Sequence, residues 1–202
     1  LDVVVQKGCQ GRVDVADWDG DGRPDLITGA FGGDVQWHRN VGTKRAPEFA
    51  AGEPLCDIRI AYNSHPRIYD FDRDGTLDLL LGVNWGTVTL YRNIGSKTAP
   101  RLAGGKQLCW AASGKGLNLR QQNGDDTTPE LADLDRDGVL DLISGGKNGK
   151  LFVMRGVGAK DRVATLRRSL AAGGRDCVAY FEREAEERSV VFGALRALQA
   201  DL

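Results

Sequence analysis

The sequence has little that identifies an enzyme, a membrane protein or a nucleic-acid-binding protein. No apolar run in its 202 residues approaches the length of a membrane-spanning helix. It contains no nucleophile elbow, no cysteine–histidine pairing and no zinc-ligand spacing, so catalysis finds little support. It contains no basic run and no recognised nucleic-acid module, so we do not expect nucleic acid as a partner.

Net charge of one sign is also missing, although the charges are unevenly distributed. Lysine and arginine total 27 and aspartate and glutamate total 28, which gives a formal net charge of −1 at pH 7. Many of the acids are concentrated in three short stretches, and the bases are spread over the remainder. Cations bound in those stretches would leave a moderate positive charge. That charge would favour an anionic partner such as an acidic polysaccharide, but a solvated surface is the simpler interpretation.

The usual marks of a secreted protein are weak. No signal peptide is visible and the sequence begins at Leu1, so we expect a mature protein or a piece of a longer one. Four cysteines suggest disulfides, but Cys56, Cys109 and Cys177 occupy equivalent positions of a repeat described below, and Cys9 ends a similar segment. Equivalent positions are usually too far apart for the ~6 Å Cα separation of a disulfide. Buried, reduced cysteines are therefore the favoured interpretation, and disulfide bridges the alternative.

Three short loops carry aspartates at alternate positions. They begin at Asp17, Asp70 and Asp133, and each reads Asp-x-Asp-x-Asp-Gly-x-x-Asp before an apolar stretch. So many carboxylates repel one another unless a cation lies among them, and Ca²⁺ accepts about six to eight oxygen ligands in relaxed geometry. Solvated Asp-Gly turns are the alternative interpretation. Three copies with one spacing favour calcium.

The predicted metal ligands are the four aspartates of each loop and the backbone carbonyl of its seventh residue. They are Asp17, Asp19, Asp21, Arg23 and Asp25; Asp70, Asp72, Asp74, Thr76 and Asp78; and Asp133, Asp135, Asp137, Val139 and Asp141. The glycine after the third aspartate permits a tight bend. An EF-hand would have a glutamate at position twelve, where this sequence has Thr28, Leu81 and Ser144. We therefore expect about three Ca²⁺ ions in loops that are not EF-hands.

The loops belong to a repeat of four short strands. In every copy the last aspartate precedes a glycine by four residues and an arginine by fourteen, as in Asp25, Gly29 and Arg39. Strands are predicted before the loop, directly after it and before the arginine, with a fourth near residues 49–55 and 102–108. Four strands at a period of roughly 50 to 60 residues indicate β-propeller blades. The predicted blades are residues 10–56, 57–109 and 110–170.

The pattern D-x-D-x-D-G-x-x-D-L, followed by a glycine and then R-N-x-G-[ST]-K-x-A-P, resembles the FG-GAP/VCBS-type repeat. Related calcium loops occur in integrin α-subunits, many secreted bacterial proteins and some polysaccharide lyases. The resemblance implies an all-β propeller over residues 1–160, with calcium on the loop between a blade's first and second strands, and it implies no single activity. Three repeats cannot close a ring of about four to eight blades. We therefore expect a fragment, part of a larger ring or a unit that closes by association.

The last part of the chain, residues 171–202, contains no calcium loop. From Phe181 to Leu202, apolar residues recur at steps of three and four, which predicts an amphipathic helix. Its apolar stripe is expected to pack on the blades. A role in ring closure or dimerisation is the alternative.

The face opposite the calcium loops is the expected ligand-binding surface, because the connections between blades end there and differ in length. The candidate residues are Arg59, Tyr62, His65, Trp85, Trp110 and Arg120. Aromatic rings stack on sugars, and arginine donates hydrogen bonds to hydroxyl groups. The alternative is that the tryptophans fill gaps between blades.

Two functions of different classes follow. The first is a non-catalytic, calcium-stabilised module that is secreted, periplasmic or at the cell surface and recognises carbohydrate or a protein. The second is a segment of a propeller-fold polysaccharide lyase or hydrolase. It would use Tyr62 or His65 as a base and Arg59 or Arg120 to neutralise a uronate. A purely structural module of a larger surface protein is a third possibility.

Overall fold

The computed structural model describes parts of the chain that are nearly all strand and turn. The described residues are 11–55, 63–110, 116–120, 126–136, 138–157 and 177–179. Within them, three sheets follow one another along the chain, as the sequence predicts. No helix in these ranges is long and apolar enough to cross a membrane.

The first two sheets are four-stranded antiparallel meanders of the same design. The first has the order β1 (Arg12–Ala16), β2 (Asp25–Gly29), β3 (Val35–His38) and β4 (Glu53–Pro54). The second has the order β5 (His65–Tyr69), β6 (Asp78–Gly82), β7 (Val88–Tyr91) and β8 (Lys106–Gln107). The fourth strand of each is only two residues long, shorter than predicted. The beginning of each predicted fourth strand forms an isolated bridge instead, at Phe49 and Leu102.

The third sheet departs from this design at its outer edge. It contains β10 (Thr128–Ala132), β11 (Asp141–Gly145) and β12 (Leu151–Val157), with β13 (Cys177–Ala179) parallel to β12 and β9 (Cys109–Trp110) antiparallel to β13. Cys177–Ala179 therefore form a strand within the C-terminal segment, residues 171–202, ahead of the helix predicted from Phe181. The remainder of that segment, together with Cys9 and Cys56, lies outside the described residues. Ala179, not Cys177, is opposite Cys109 in the register.

The sheets pack face to face, and two apolar cores fill the spaces between them. Strand β6 shows how this works, because its side chains alternate between its two faces. Leu79 and Leu81 point into the core shared with the first sheet, and Leu80 points into the core shared with the third. All three are buried, since the second sheet is covered on both sides. This is the arrangement of consecutive β-propeller blades.

The glycine at the end of each second strand lets the next sheet approach closely. A Cβ atom on Gly29 would lie 2.2 Å from the carbonyl oxygen of Ser64, and one on Gly82 would lie 2.3 Å from that of Thr127. Polar contacts join the same sheets, for example the 2.7 Å bond from the N–H of Ile68 to Asp14. In the first two sheets, the repeated glycine is therefore a contact point between blades.

Candidate metal centres

Each aspartate-rich loop joins the first two strands of its sheet. The loops lie between β1 and β2, between β5 and β6, and between β10 and β11. Because the sheets repeat one topology, the three loops share one end of the blades, and the turns between second and third strands share the other. The position predicted for the loops is therefore confirmed.

A glycine turns each loop back toward its first aspartate. Gly22, Gly75 and Gly138 have φ angles of +88°, +90° and +87°, a region that side chains with a Cβ rarely adopt. The N–H of Gly22 donates to Oδ2 of Asp17 at 3.1 Å. The equivalent bond is 3.0 Å in each of the other two loops. In the first two loops, carboxylate oxygens of the first and fifth residues lie within 4.8 Å of each other.

The last aspartate of each loop is buried and fastens the loop to the sheet. In the first loop, Oδ2 of Asp25 accepts the N–H of Trp18 at 3.2 Å, and Oδ1 accepts the N–H of Asn40 at 2.8 Å. Asp78 and Asp141 make the same pair of bonds at 2.7–3.1 Å. Each carboxylate oxygen keeps a second lone pair. The ligand role predicted for these aspartates therefore stays a prediction, beside the structural role.

The first three aspartates of a loop bring their carboxylates together. In the first loop, one oxygen from each of Asp17, Asp19 and Asp21 lies within 4.8 Å of the other two. Asp70, Asp72 and Asp74 form the same group in the second loop. In the third loop, Asp137 lies outside the described residues. Carboxylates at alternate positions of these two loops thus lie close together, and their role as metal ligands stays a prediction.

The first aspartate of each group has an oxygen with no protein partner. Oδ2 of Asp17 accepts the glycine N–H, but Oδ1 is buried and makes no hydrogen bond. Asp70 repeats this: Oδ2 is bonded to Gly75 and Oδ1 is buried without a partner. A buried carboxylate oxygen without a donor is costly. A hard cation at the centre of the group would satisfy it, so the donor set fits Ca²⁺.

An arginine approaches the second aspartate of every loop. Arg39 Nε lies 3.1 Å from Oδ2 of Asp19, Arg92 is paired with Asp72, and Arg155 is paired with Asp135. The spacing of this arginine in the repeat does not show which carboxylate it contacts. In the structure it lies beside the second aspartate and offsets part of the negative charge of the loop.

The asparagine that follows this arginine shapes the neighbouring loop. Oδ1 of Asn40 accepts the N–H groups of Gly42 and Glu48, at 3.0 and 3.2 Å. Asn93 does the same with Gly95 and Arg101, at 2.9 Å each. These bonds explain the R-N-x-G part of the motif, in which the asparagine is a structural residue rather than a ligand.

Burial and crowding raise the pKa values of two loop carboxylates. The pKa of Asp19 is raised by its burial and then by the negative charges of Asp25 and Asp21. Burial raises the pKa of Asp78 to about 6, although the N–H groups of Asn93 and Phe71 oppose the shift. The loops therefore hold negative charge that the protein itself only partly offsets.

Comparison with known protein families finds a repeat model that covers these loops. The model of the FG-GAP-like repeat matches residues 17–81 and again residues 70–144. Each match begins at the first aspartate of one loop and ends after the next loop, at its following strand, and together they cover more than half of the chain. The chain belongs to the FG-GAP-like repeat family. No curated protein matches the chain.

In this FG-GAP-like protein, two of the predicted ligand-face residues lie on adjacent segments. Trp85 is half exposed in a 3₁₀ turn, Asn84–Gly86, between the second and third strands of the second sheet. The N–H of Leu119 donates to the carbonyl of Gly86 at 2.8 Å, and the next residue is the exposed Arg120. Trp85 and Arg120 are therefore presented on the face opposite the aspartate loops.

The other ligand-face candidates do not form a described cluster with them. Trp110 lies in β9, opposite Val178, and Arg59 and Tyr62 lie outside the described residues. His65 is buried in β5, where its Nδ1 accepts a hydrogen bond from Arg12 at 3.1 Å. This placement does not favour His65 as the surface base of a polysaccharide lyase or as a ligand contact.

Proposed function

We propose that this FG-GAP-like chain is a calcium-stabilised binding module that works outside the cytoplasm. The observation that carries the proposal is the convergence of three carboxylates in each of two loops, with a buried, unpartnered oxygen on Asp17 and on Asp70. An uncompensated group of this kind would destabilise the fold. Calcium outside the cytoplasm is abundant enough for sites with dissociation constants of about 10⁻⁴ to 10⁻³ M.

The residues proposed to hold the ions are the first, third and fifth positions of each loop. Bound Ca²⁺ supplies positive charge at the centre of the carboxylates and has no catalytic role in this proposal. The aspartate at the ninth position and the carbonyl at the seventh complete the predicted oxygen set. In the third loop the same residue types stand at the same positions, so we propose a third site there.

Calorimetric titration of calcium into the metal-free chain tests the proposal. We expect about three binding events per chain in the range of extracellular calcium modules. Asp19→Asn and Asp72→Asn should each remove one event. Asp34→Asn is the matched control, since Asp34 is an exposed aspartate outside the loops. Absence of calcium binding in the unaltered chain would overturn the proposal.

The face opposite the loops is proposed to recognise carbohydrate or a protein. The half-exposed Trp85 and the exposed Arg120 support this proposal, because their neighbours Gly86 and Leu119 are joined by a backbone hydrogen bond. A flat apolar ring and a hydrogen-bond donor on adjacent segments suit a sugar ring. Acidic polysaccharides are the first probes to use, since arginine pairs well with carboxylates. Trp85→Ala should weaken binding, whereas Ile94→Ala, an exposed apolar residue beyond β7, should not. Depolymerisation of the probe would instead support the lyase or hydrolase alternative.

A further inference from the structure

The outer sheets of the array each expose an apolar face. In the first sheet, Val13 and Val15 of β1 are 53% and 57% exposed. In the third sheet, Leu151 and Val153 of β12 are 78% and 50% exposed. We name these the β1 face (Val13 and Val15) and the β12 face (Leu151 and Val153). Contiguous exposed apolar surface, unlike a single exposed apolar residue, marks an interaction surface.

Equivalent positions inside the array show what covers the β1 face. Ile68 and Leu131 occupy the position of Val15 in the second and third sheets, and they are only 9% and 5% exposed. Each of them packs in the core shared with the preceding sheet. Among the described residues, no preceding sheet covers Val15. The β1 face therefore carries the apolar residues that, in the other two sheets, pack against a preceding blade.

The β12 face follows the same rule in the opposite direction. Val35 and Val88 occupy the position of Leu151 in the first and second sheets, and they are 3% and 0% exposed because the following sheet covers them. Leu90, at the position of Val153, is also buried. The chain thus carries both halves of a contact that it already forms twice internally, one half on each outer sheet.

We propose that two copies of the chain join head to tail, with the β1 face of each packed on the β12 face of the other. This contact would repeat the two contacts between sheets inside one chain. It would have the same apolar side chains, and the same order of a preceding and a following sheet. A head-to-tail contact closes when the rotation between units completes a ring. Two copies supply twice three blades, within the about four to eight blades of closed propellers. Three blades alone fall short of that range.

Sedimentation velocity of the full chain with calcium, over a range of concentrations, tests the proposal. We expect a dimer with no larger species. Val15→Glu and Leu151→Glu each place a charge in the contact and should weaken the dimer at least about tenfold, because an unpaired charge is costly to bury. Both side chains are exposed in the single chain, so neither variant should unfold it. Val41→Glu is the matched control, at an exposed valine away from both faces.

Mixing the two variants distinguishes a head-to-tail contact from any other. A Val15→Glu copy keeps an intact β12 face, and a Leu151→Glu copy keeps an intact β1 face. The mixture therefore restores one unaltered contact per pair and should dimerise more tightly than either variant alone. A symmetric contact of one face with itself would show no such recovery.

Three results would overturn the proposal. A monomer at all concentrations would mean that another part of this chain, or further blades of a longer one, covers the two faces. A dimer that neither variant weakens would place the contact elsewhere. A series of ever larger species would show head-to-tail contacts that do not close into a pair.

Discussion

At the scale of single residues, the aspartates of one loop divide into two kinds. The last aspartate, as in Asp78, is buried and accepts two backbone N–H groups at 3.1 and 2.7 Å. The second aspartate, as in Asp72, lies in the carboxylate group near Arg92. The first kind holds the loop in shape whether or not a metal is present. The second kind accepts one backbone N–H, from Asp74 at 3.3 Å, and otherwise pairs with the arginine, so it anchors the loop less firmly.

We expect Asp78→Asn to destabilise the protein both with and without calcium. The amide has only one carbonyl oxygen, so one of the two N–H groups loses its acceptor, at a cost of about 1–3 kcal/mol. Asp72→Asn should instead abolish calcium-dependent stabilisation of that loop and change the metal-free stability little. Urea unfolding with calcium and with chelator measures both. Equal losses for the two variants in chelator would contradict this division.

His65 should make stability depend on pH. Burial and then the nearby Arg12 lower its pKa from 6.5 to about 4, while Asp126 opposes the shift and Arg67 adds to it. Between these pH values the unfolded chain binds a proton that the folded protein does not. Stability is therefore full above about pH 6.5 and is lost as pH falls toward 4, by up to about 3 kcal/mol.

Unfolding of the unaltered chain and of His65→Gln across this pH window checks the prediction. The loop carboxylates also titrate in acid, so the difference between the two proteins isolates the histidine. We expect the unaltered chain to lose more stability than the variant between pH 6.5 and 4. Parallel curves for the two proteins would contradict the assignment.

At the scale of elements, the glycine that ends the second strand decides how closely two sheets pack. Its equivalent in the third sheet, Gly145, has much more room: the nearest atom to an added Cβ is Oγ1 of Thr128, at 3.1 Å. That difference matches the absence of a fourth sheet among the described residues. One repeated glycine thus has a tight contact only where a following blade is present.

Gly82→Ala should weaken the contact between the second and third sheets. The added methyl group would lie 2.3 Å from Cδ of Pro129 as well as from the carbonyl of Thr127, and overpacking of this kind costs about 1–3 kcal/mol. Gly104→Ala is the control, because nothing lies within 4 Å of the added atom. Chemical unfolding of both variants measures the effect, and equal stability would contradict the role of Gly82.

Local sequence pattern predicts these elements well and their contacts poorly. Alternation and the loop spacing locate β1 to β3 and their equivalents, because strand period and turn chemistry are local properties. The partner of Arg39 and the parallel pairing of β13 depend on contacts between distant parts of one sheet. The burial of His65 depends on which blades meet. No local pattern encodes either kind of contact. The sequence also does not show that the last aspartate, Asp25, accepts two backbone N–H groups, because one of them belongs to Asn40, fifteen residues further along the chain.

At the scale of the whole molecule, the blades depend on each other for burial. The second sheet has cores on both faces, whereas each outer sheet has one face covered by a neighbour. The first aspartate loop is in contact with one of these cores, because its residue Trp18 is buried between the first and second sheets. If loss of calcium disorders this loop, the packing between the first and second sheets should therefore weaken as well.

Differential scanning calorimetry of the full chain, with excess calcium and with chelator, tests the central claim most directly. Calcium at ten times the dissociation constant should add about 1.4 kcal/mol of stability per site. We therefore predict a clear rise of the melting temperature with calcium, reduced stepwise in Asp19→Asn and in the double variant with Asp72→Asn. Superimposable melting curves with calcium and with chelator would contradict the account.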